Sequence, residues 1–352
     1  MINAVIIDPR NDPRWDEFVA EHPYGTMYHL SSWCSALNKA FDYEPCYAIV
    51  ESKDKIKSGI PMMLIQSRLT GNRLVSLPRT SYCDPLVLRK EEMTGLIYTI
   101  QQFASKNKIK CIEIKTRHNR QILEGCDFKC YDYFLNQIIE LPEDSQELWR
   151  KFHRTCVQQR IAKASKAGVK IRFGTGEKDL GTFYQLHKLT TQDHSIPPRP
   201  FSYFKSIREA FLPRNLFCIG IAEVGQCAAA AALFFIFKDT LYYEFLGIDY
   251  TFVEISPAHL LLWETIKMAC GKGLKIFDFG LSPPDNEGLA TYKRRWGADE
   301  KHLGYFYYPE ANGCKKFVRE PARPKKINLG PMDKAINLLK TMVASKLYKH
   351  FG

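Results

Sequence analysis

Two segments of the chain repeat one pattern: the end of a helix, a polar turn and a strand. Residues 103–115 (FASKNKIKCIEIK) align without gaps with residues 268–280 (MACGKGLKIFDFG), and Glu113 falls on Asp278. Each strand carries one carboxylate in an apolar run. Both halves also predict three strands, a helix and a fourth strand in the same order. The sequence therefore predicts a duplicated α/β (α+β) unit, each copy with a mixed, largely antiparallel sheet flanked by helices.

The repeat sets the expected domain limits. We expect an N-terminal domain at 1–145, a C-terminal domain at 146–312, and a basic linker followed by an amphipathic helix at 313–352. Residues 331–352 have an apolar face surrounded by lysines. This pattern is typical of a helix that lies on an anionic membrane, and equally of one that packs on its own protein.

The charge of the chain favours anionic partners. The 352 residues carry a formal net charge of +12, which suits nucleic acid, nucleotides, phosphorylated sugars or an acidic membrane. Between Glu147 and Glu177 there are eight cations and no acid, whereas helical surfaces normally alternate the two signs. We expect a basic helix here that binds phosphates of tRNA, a nucleotide or CoA, with a merely solvated face as the alternative.

Several classes of protein are disfavoured. The 11 cysteines contain no C-x-x-C pair, so no metal site is expected, and their scatter favours free thiols in a reducing cytoplasm. The start of the chain lacks the features of a signal peptide. The apolar run at 227–237 is too short to cross a bilayer. We therefore expect a cytoplasmic protein, with peripheral contact to the inner membrane face through 331–352 as an option.

Residues 275–298 hold the most informative motif. A buried strand containing Asp278 breaks at Gly280, a Ser-Pro-Pro-Asp-Asn loop follows, and then comes the basic and aromatic segment 291–298 (TYKRRWGA). The tripeptide Asp-Phe-Gly occurs in protein kinases. None of the other kinase motifs accompanies it, so a kinase is rejected.

These residues resemble the FemAB and GNAT-like acyltransferase superfamily. The likeness is carried by 256–298 (SPAHLLLWETIKMACGKGLKIFDFGLSPPDNEGLATYKRRWGA), 154–169 (RTCVQQRIAKASKAGV), 194–204 (HSIPPRPFSYF) and 74–87 (LVSLPRTSYCDPLV). It implies two GNAT-like domains in tandem and transfer of an acyl group to an amine. The best-known members move amino acids from aminoacyl-tRNA to peptidoglycan precursors, and relatives occur in envelope polysaccharide gene clusters.

The chemistry of acyl transfer assigns roles to residues of this motif. An amine that attacks an ester or thioester builds negative charge on the carbonyl oxygen and must lose a proton. Lys293 matches the aromatic-Lys pair of the family, so we expect it to stabilise that charge or bind a phosphate, and Asp278 to position the amine. The alternatives are a structural acid at Asp278 and a solvated lysine. The residues expected to bind substrate are Arg154, Arg160, Lys163, Tyr82, Asp84, Trp33, His194, Arg199, Tyr243, Ser282 and Trp296.

The donor is expected to be acyl-CoA or aminoacyl-tRNA, with no tightly bound cofactor and an envelope precursor as acceptor. At the helix where GNAT enzymes have a glycine-rich pyrophosphate turn, this chain has Ser256 and Pro257, and proline lacks an N–H donor. The long helical hairpin of some tRNA-dependent members is also missing, which puts tRNA in doubt. The rivals are an acyl-CoA-dependent N-acetyltransferase on a sugar or small amine, and a non-catalytic RNA-binding protein. No standard RNA-binding motif is present, and DNA is not an expected partner.

Overall fold

The computed structural model describes residues 4–194, 197–283, 285–309 and 348–350. The helices of these residues are α1 Arg14–Glu21, α2 Ser31–Phe41, α3 Lys90–Lys106, α4 Arg120–Glu124, α5 Ser145–Lys151, α6 Gln159–Lys166, α7 Glu177–Asp193, α8 Phe201–Phe211, α9 Pro257–Gly271 and α10 Glu287–Arg295. The strands are β1 Ala4–Ile7, β2 Glu44–Pro45, β3 Tyr47–Ser52, β4 Lys55–Ile60, β5 Met63–Ile65, β6 Arg73–Val75, β7 Cys111–Thr116, β8 Lys129–Glu140, β9 Lys170–Gly174, β10 Phe217–Val224, β11 Cys227–Phe237, β12 Thr240–Ile248, β13 Ile276–Ser282 and β14 Asp299–Tyr308.

The chain forms two compact units. The described residues of the first unit are 4–134, 302–309 and 348–350, and those of the second are 135–194, 197–283 and 285–301. The domain limits expected from the sequence, at 145/146 and 312/313, stay a prediction. Most of the linker and the C-terminal amphipathic helix, residues 310–347, lie outside the described residues.

The second unit is built on a sheet with the strand order β8, β13, β12, β11, β10, β9. Neighbouring strands are antiparallel except β12 and β13, which are parallel. Residues 229–232 of β11 are fully buried alanines, and helix α9 packs on this part of the sheet with Leu261 and Ile266 inside the core. Small residues in the strand allow the helix to approach closely. Burial of this apolar face is the main force that stabilises the unit.

The first unit repeats the central feature of the second. Residues 73–75 of β6 pair in parallel with 111–113 of β7, just as 240–242 of β12 pair with 276–278 of β13. The last pair is Val75 with Glu113 in one unit, and Tyr242 with Asp278 in the other. Each unit therefore places its strand carboxylate at the end of a short parallel ladder. The mixed, largely antiparallel α/β fold expected from the sequence is confirmed.

The basic segment that follows β8 is not one helix. Helix α5 ends at Lys151, a π-helical turn covers Arg154–Gln158, and α6 follows it. The break is stabilised at His153, whose N–H donates to Arg295 O at 2.9 Å and whose Nδ1 accepts from the N–H of Cys156. Residues 170–174 form strand β9 rather than helix. The prediction of a continuous helix was wrong because local capping at His153 starts a new helical segment.

The structure bears on three expectations from the sequence, which concern the cysteines, membrane-spanning helices and metal sites. Nine of the described cysteines are free, whereas Cys111 is disulfide-bonded, so the expectation of free thiols throughout is wrong at this position. Among the described helices, none has both the length and the apolar character that a membrane span needs. The described residues hold no group of three or more His, Cys, Asp and Glu side chains placed to bind a metal ion.

Candidate functional site

Strands β12 and β13 separate in the middle of the second unit. Their parallel pairing ends at Tyr242 and Asp278, yet both strands continue, to Ile248 and Ser282. The register of β12 against β11 shifts next to Glu244, and that of β13 against β8 shifts just after Asp278. Bulges of this kind redirect side chains and interrupt the ladder of backbone hydrogen bonds. We call the region formed by 242–245 and 278–281 the fork.

Asp278 fixes the turn at one arm of the fork. Its side chain is 2% exposed, and Oδ1 accepts from Gly280 N at 2.7 Å and from Asn136 Nδ2 at 2.8 Å. Gly280 has a φ of +69°, a conformation that glycine adopts without the strain a side chain would add. A carboxylate that accepts a backbone N–H two residues ahead stabilises such a turn. The structural environment of Asp278 is therefore that of a residue that shapes the fork.

Lys293 of α10 reaches the same turn from outside the sheet. Its side chain is 3% exposed, and Nζ donates to Leu281 O at 2.9 Å and to Gly280 O at 3.2 Å. Burial lowers the pKa of Lys293 to about 8, while the charges of Asp278 and Glu244 act in the opposite direction. An ammonium group has three N–H donors, and the two carbonyls use two of them. One donor of a buried cation thus remains for a group bound in the fork.

The buried amide of Gln137 links strands β8 and β13 to α10. Ser282 Oγ donates to Gln137 Oε1 at 2.6 Å, and Gln137 Nε2 donates to Ala290 O and to Glu300 Oε1, both at 3.0 Å. Ser282 and Gln137 are fully buried. Arg294 donates to Glu300 at 3.0 Å on the outer side of the helix. Ser282, expected to bind substrate, here positions α10 and with it Lys293.

The aromatic residues next to the fork belong to the core of the second unit. Trp296 is fully buried, and its ring lies 5.1 Å from that of Phe152 and 5.9 Å from that of His259. Tyr243 is half-buried, 6.0 Å from the ring of Phe279. Burial, and to a lesser degree the charge of Arg160, lower the pKa of His259 to about 4. Trp296 therefore packs rather than forming an open stacking platform, while Tyr243 keeps an accessible edge.

Two of the basic side chains expected to bind the donor, Arg160 and Lys163, lie near the start of α9. Arg154, Arg160 and Lys163 are exposed. Arg160 Nη1 is 3.4 Å from Oγ of Ser256, the residue before the helix, and Lys163 Nζ is 3.6 Å from Oε2 of Glu254. A helix N-terminus carries partial positive charge, so these cations add to it. The arrangement suits an anion with several negative charges.

Arg199 stands on the other side of β12 from the aromatic core. Its guanidinium lies 4.7 Å from the ring of Phe245 and 5.6 Å from that of Tyr203, and its Nη1 is buried without a hydrogen-bond partner among the described residues. His187 is 7% exposed, and both ring nitrogens also lack a partner in the described structure. Burial and the nearby Arg199 lower the pKa of His187 to about 4. His194 is exposed and pairs with Tyr250 Oη at 3.2 Å.

The expected residues of the first unit are held in its interior. Asp84 is fully buried, and Oδ1 accepts backbone N–H groups from Arg117 at 2.9 Å and His118 at 2.8 Å, as well as the Thr116 hydroxyl. Tyr82 is 2% exposed, and its hydroxyl accepts from Arg117 Nη1 at 3.2 Å. Trp33 is fully buried and packs on Tyr28 at 5.1 Å. In this structure the three side chains stabilise a loop and a core, and their role in substrate binding stays a prediction.

The structure brings some of the expected residues together and adds others. Asp278, Lys293, Tyr243 and Ser282 all lie at or beside the fork of the second unit. Sequence reasoning missed three polar residues that complete this region, Asn136, Gln137 and Glu244, and it also missed His187 beside Arg199. The signal was available, because Asn136 and Gln137 interrupt the apolar run 134–139 and Glu244 interrupts the apolar strand 240–248, the same feature that singled out Asp278.

Comparisons with known proteins agree with this geometry. Residues 151–294, which include Asp278 and Lys293, match the family model described as an acetyltransferase (GNAT) domain. No curated protein sequence matches the chain at a significant level. Among solved structures, FemX has a TM-score of 0.72 at 17% identity and covers 87% of this chain and 97% of its own.

Two further structures extend the comparison. L-PGS from Bacillus licheniformis has a TM-score of 0.55 at 11% identity and covers 95% of this chain and 97% of its own. A tandem GNAT protein from the clavulanic acid biosynthesis pathway has a TM-score of 0.54 at 10% identity and covers 87% of this chain and 97% of its own. The resemblance drawn from the sequence is confirmed: the chain has the fold of FemX and of tandem GNAT proteins, and residues 151–294 match the GNAT acetyltransferase domain that contains the fork.

Proposed function

We propose that the protein is an acyltransferase that moves an acyl or aminoacyl group onto an amine of a cell-envelope precursor, with the chemistry at the fork of the second unit. The observation that carries the proposal is Lys293, a buried ammonium that donates to Gly280 O and Leu281 O and has one N–H donor beyond these two. Burying a charge is costly, and a site that retains one commonly uses it. The GNAT match over 151–294 supports the reaction class.

The reaction balances without a metal or redox partner. The amine nitrogen attacks the carbonyl carbon of the donor, the new C–N bond forms, and the C–O or C–S bond to the carrier breaks. The proton that the amine loses leaves with the departing alkoxide or thiolate. Lys293 stabilises the developing oxyanion. Glu244, whose charge acts on Lys293 across the fork, is the carboxylate we assign to accept the proton on its way to the leaving group.

In this scheme Asp278 acts through its neighbours. It holds Gly280, and the carbonyls of Gly280 and Leu281 hold Lys293. Asp278 is therefore a positioning residue, which also raises the pKa of Lys293 and so keeps it charged near neutral pH. Ser282 and Gln137 position α10 in the same sense.

The donor is bound through its phosphates in this proposal. Arg154, Arg160 and Lys163 are exposed, and Arg160 lies next to the start of α9, where helix and side-chain charges add. Either acyl-CoA or aminoacyl-tRNA would supply the phosphates. Pro257 at the first position of α9 removes one N–H of the helix start, which disfavours the usual mode of CoA pyrophosphate binding.

The acceptor is bound at Arg199 in this proposal. The guanidinium is fixed between two aromatic rings and has a buried Nη1 without a partner in the described residues. An unpaired buried donor is costly, and an anionic group of the acceptor would satisfy it. A phosphate-bearing or carboxylate-bearing envelope precursor fits this requirement. Peripheral membrane contact through 331–352, on the cytoplasmic face, would bring the enzyme to a lipid-linked acceptor.

Substitution of Lys293 tests the assignment. Lys293→Met is expected to lower kcat by about 100-fold or more, since loss of one donor to an oxyanion typically costs that much. Lys293→Arg keeps the charge and is expected to retain part of the activity. The assay is transfer from the donor that binds, and Lys57→Gln, an exposed strand residue of the first unit, is the control. Unchanged turnover in Lys293→Met would remove Lys293 from the mechanism.

A further inference from the structure

The first unit contains a basic cavity unrelated to the fork. Its volume is about 610 Å³, within the range of small-molecule sites. The cavity is lined by Gln66, Ser67, Arg68, Asn72, Lys349 and His350. Two of these residues come from the strap, as we call residues 348–350, and the other four from the turn between β5 and β6.

The strap is fixed at both ends by its backbone carbonyls. Tyr348 O accepts from the Arg79 guanidinium, and the Tyr348 ring lies 4.9 Å from the same guanidinium. His350 O accepts from Thr70 Oγ1 at 3.0 Å and from Arg73 at 3.4 Å. Lys349, between the two anchors, is thereby held at the cavity wall. A backbone segment anchored in this way loses less entropy on binding a ligand than a free one.

The turn on the opposite wall is also preorganised. Ser67 Oγ accepts from Thr70 N at 2.9 Å and pairs with His350 Nδ1 at 3.0 Å. Asn72 Oδ1 accepts from Ser67 N at 3.3 Å. These bonds leave Arg68 as an exposed guanidinium on a rigid turn.

The charge of the lining decides the class of ligand. The six lining residues include Arg68, Lys349 and a histidine, and no carboxylate. The nearest acid on the rim is Glu44, which accepts from Gln66 Nε2 at 3.2 Å. Arg73 is buried behind the strap. Cations that converge on a polar cavity favour an anion with several oxygens, and arginine pairs with phosphate in a bidentate geometry.

We propose that the turn at 66–72 and the strap form a binding site for the phosphate group of a small molecule or of a lipid headgroup, with the strap as its second wall. This site is separate from acyl transfer and does not depend on the function proposed for the second unit. The strap supplies two of the six residues that line this cavity.

The proposal is tested by titrating the full-length protein with pyrophosphate and measuring the heat of binding by calorimetry. The wild type is expected to give saturable binding. Arg68→Gln should weaken it about tenfold or more, because a charge-assisted hydrogen bond is lost. Thr70→Val should weaken it as well, since it removes the hydroxyl that anchors the strap at His350 O. Lys57→Gln, which loses an exposed charge on β4 of the same unit, should bind like the wild type.

A second arm separates the two sources of phosphate. Vesicles of phosphatidylglycerol that sediment the wild type, and release it when pyrophosphate is added, would support a lipid headgroup. Binding of pyrophosphate without vesicle capture would support a small molecule. No saturable binding up to millimolar pyrophosphate would overturn the site, and wild-type affinity in a folded Thr70→Val variant would overturn the role of the strap. Thermal unfolding of each variant confirms that it is folded.

Discussion

Lys293 illustrates how one residue connects burial to function. The protein places an ammonium among the carbonyls of Gly280 and Leu281, and its side chain is almost fully buried. Desolvation disfavours the charge more than Asp278 and Glu244 favour it, so the pKa falls from 10.5 to about 8. The group is still mainly charged at neutral pH. A cation that is costly to the fold but available to a bound carbonyl oxygen is what an acyl-transfer site requires.

The lowered pKa of Lys293 predicts how stability depends on pH. Between about pH 8 and 10.5 the unfolded chain holds a proton on this lysine and the folded chain does not, so rising pH favours the folded state. Below pH 8 both states are protonated and the effect is absent. Relative to Lys293→Met, the free energy of unfolding of the wild type should therefore rise by about 3 kcal/mol across this window.

Urea unfolding of both proteins from pH 8 to 10.5 measures this effect. Taking the difference between them cancels the other groups that titrate in the same range. If the difference in free energy of unfolding between the two proteins stays constant with pH, Lys293 is not desolvated and is not the buried cation that the mechanism requires.

At the level of elements, the bulged end of β13 determines where α10 can contact the sheet. The turn at 278–281 directs the carbonyls of Gly280 and Leu281 toward Lys293. At the end of the same strand, Ser282 is linked to α10 through Gln137. In an ordinary sheet, losing the backbone hydrogen bonds between two neighbouring strands such as β12 and β13 would be destabilising. Here the same break lies beside a buried lysine on which the charges of Asp278 and Glu244 act, which fits the enrichment of bulges near active sites.

A glycine substitution tests the role of this element. Gly280→Ala places a side chain at a φ of +69° and should destabilise the protein by about 1–2 kcal/mol. It should also lower activity, because the carbonyls that hold Lys293 shift. Gly288→Ala in α10 is the control: its Cβ would meet only Asn286 Oδ1, at 3.7 Å, and alanine favours a helix.

Urea unfolding and a transfer assay would compare the two variants. We expect Gly288→Ala to be as stable as the wild type or slightly more so, with activity unchanged. Equal stability and equal activity of Gly280→Ala would show that the turn tolerates a different geometry, and that the fork does not depend on it.

At the level of the whole molecule, the repeat made most of the fold predictable. Helix and strand order followed from apolar periodicity, and the alignment of Glu113 with Asp278 corresponds to equivalent ladder ends in the two units. The basic segment was predicted poorly because a side-chain cap at His153, together with contacts from distant residues such as Arg295, interrupts the helix. Such contacts leave no periodic signal in the sequence.

The candidate site was predicted only in part, for a related reason. Asp278 and Lys293 stood out because they are polar residues in a recognisable motif. Asn136, Gln137 and Glu244 come from strands far away in the chain, and only strand pairing brings them to the fork. The burial of Trp296 and Asp84 likewise depends on tertiary packing, which residue type alone does not reveal.

The central claim is that the second unit binds an acyl donor for transfer at the fork, and donor binding tests it most directly. Acetyl-CoA, a longer acyl-CoA and alanyl-tRNA would each be titrated into the full-length protein, with the thermal midpoint as readout. A ligand that binds the folded state raises that midpoint in proportion to the logarithm of its concentration. We predict a saturable rise with one donor class, weakened in Arg160→Gln. No rise with any of the three, up to millimolar acyl-CoA and to saturating tRNA, would contradict the account.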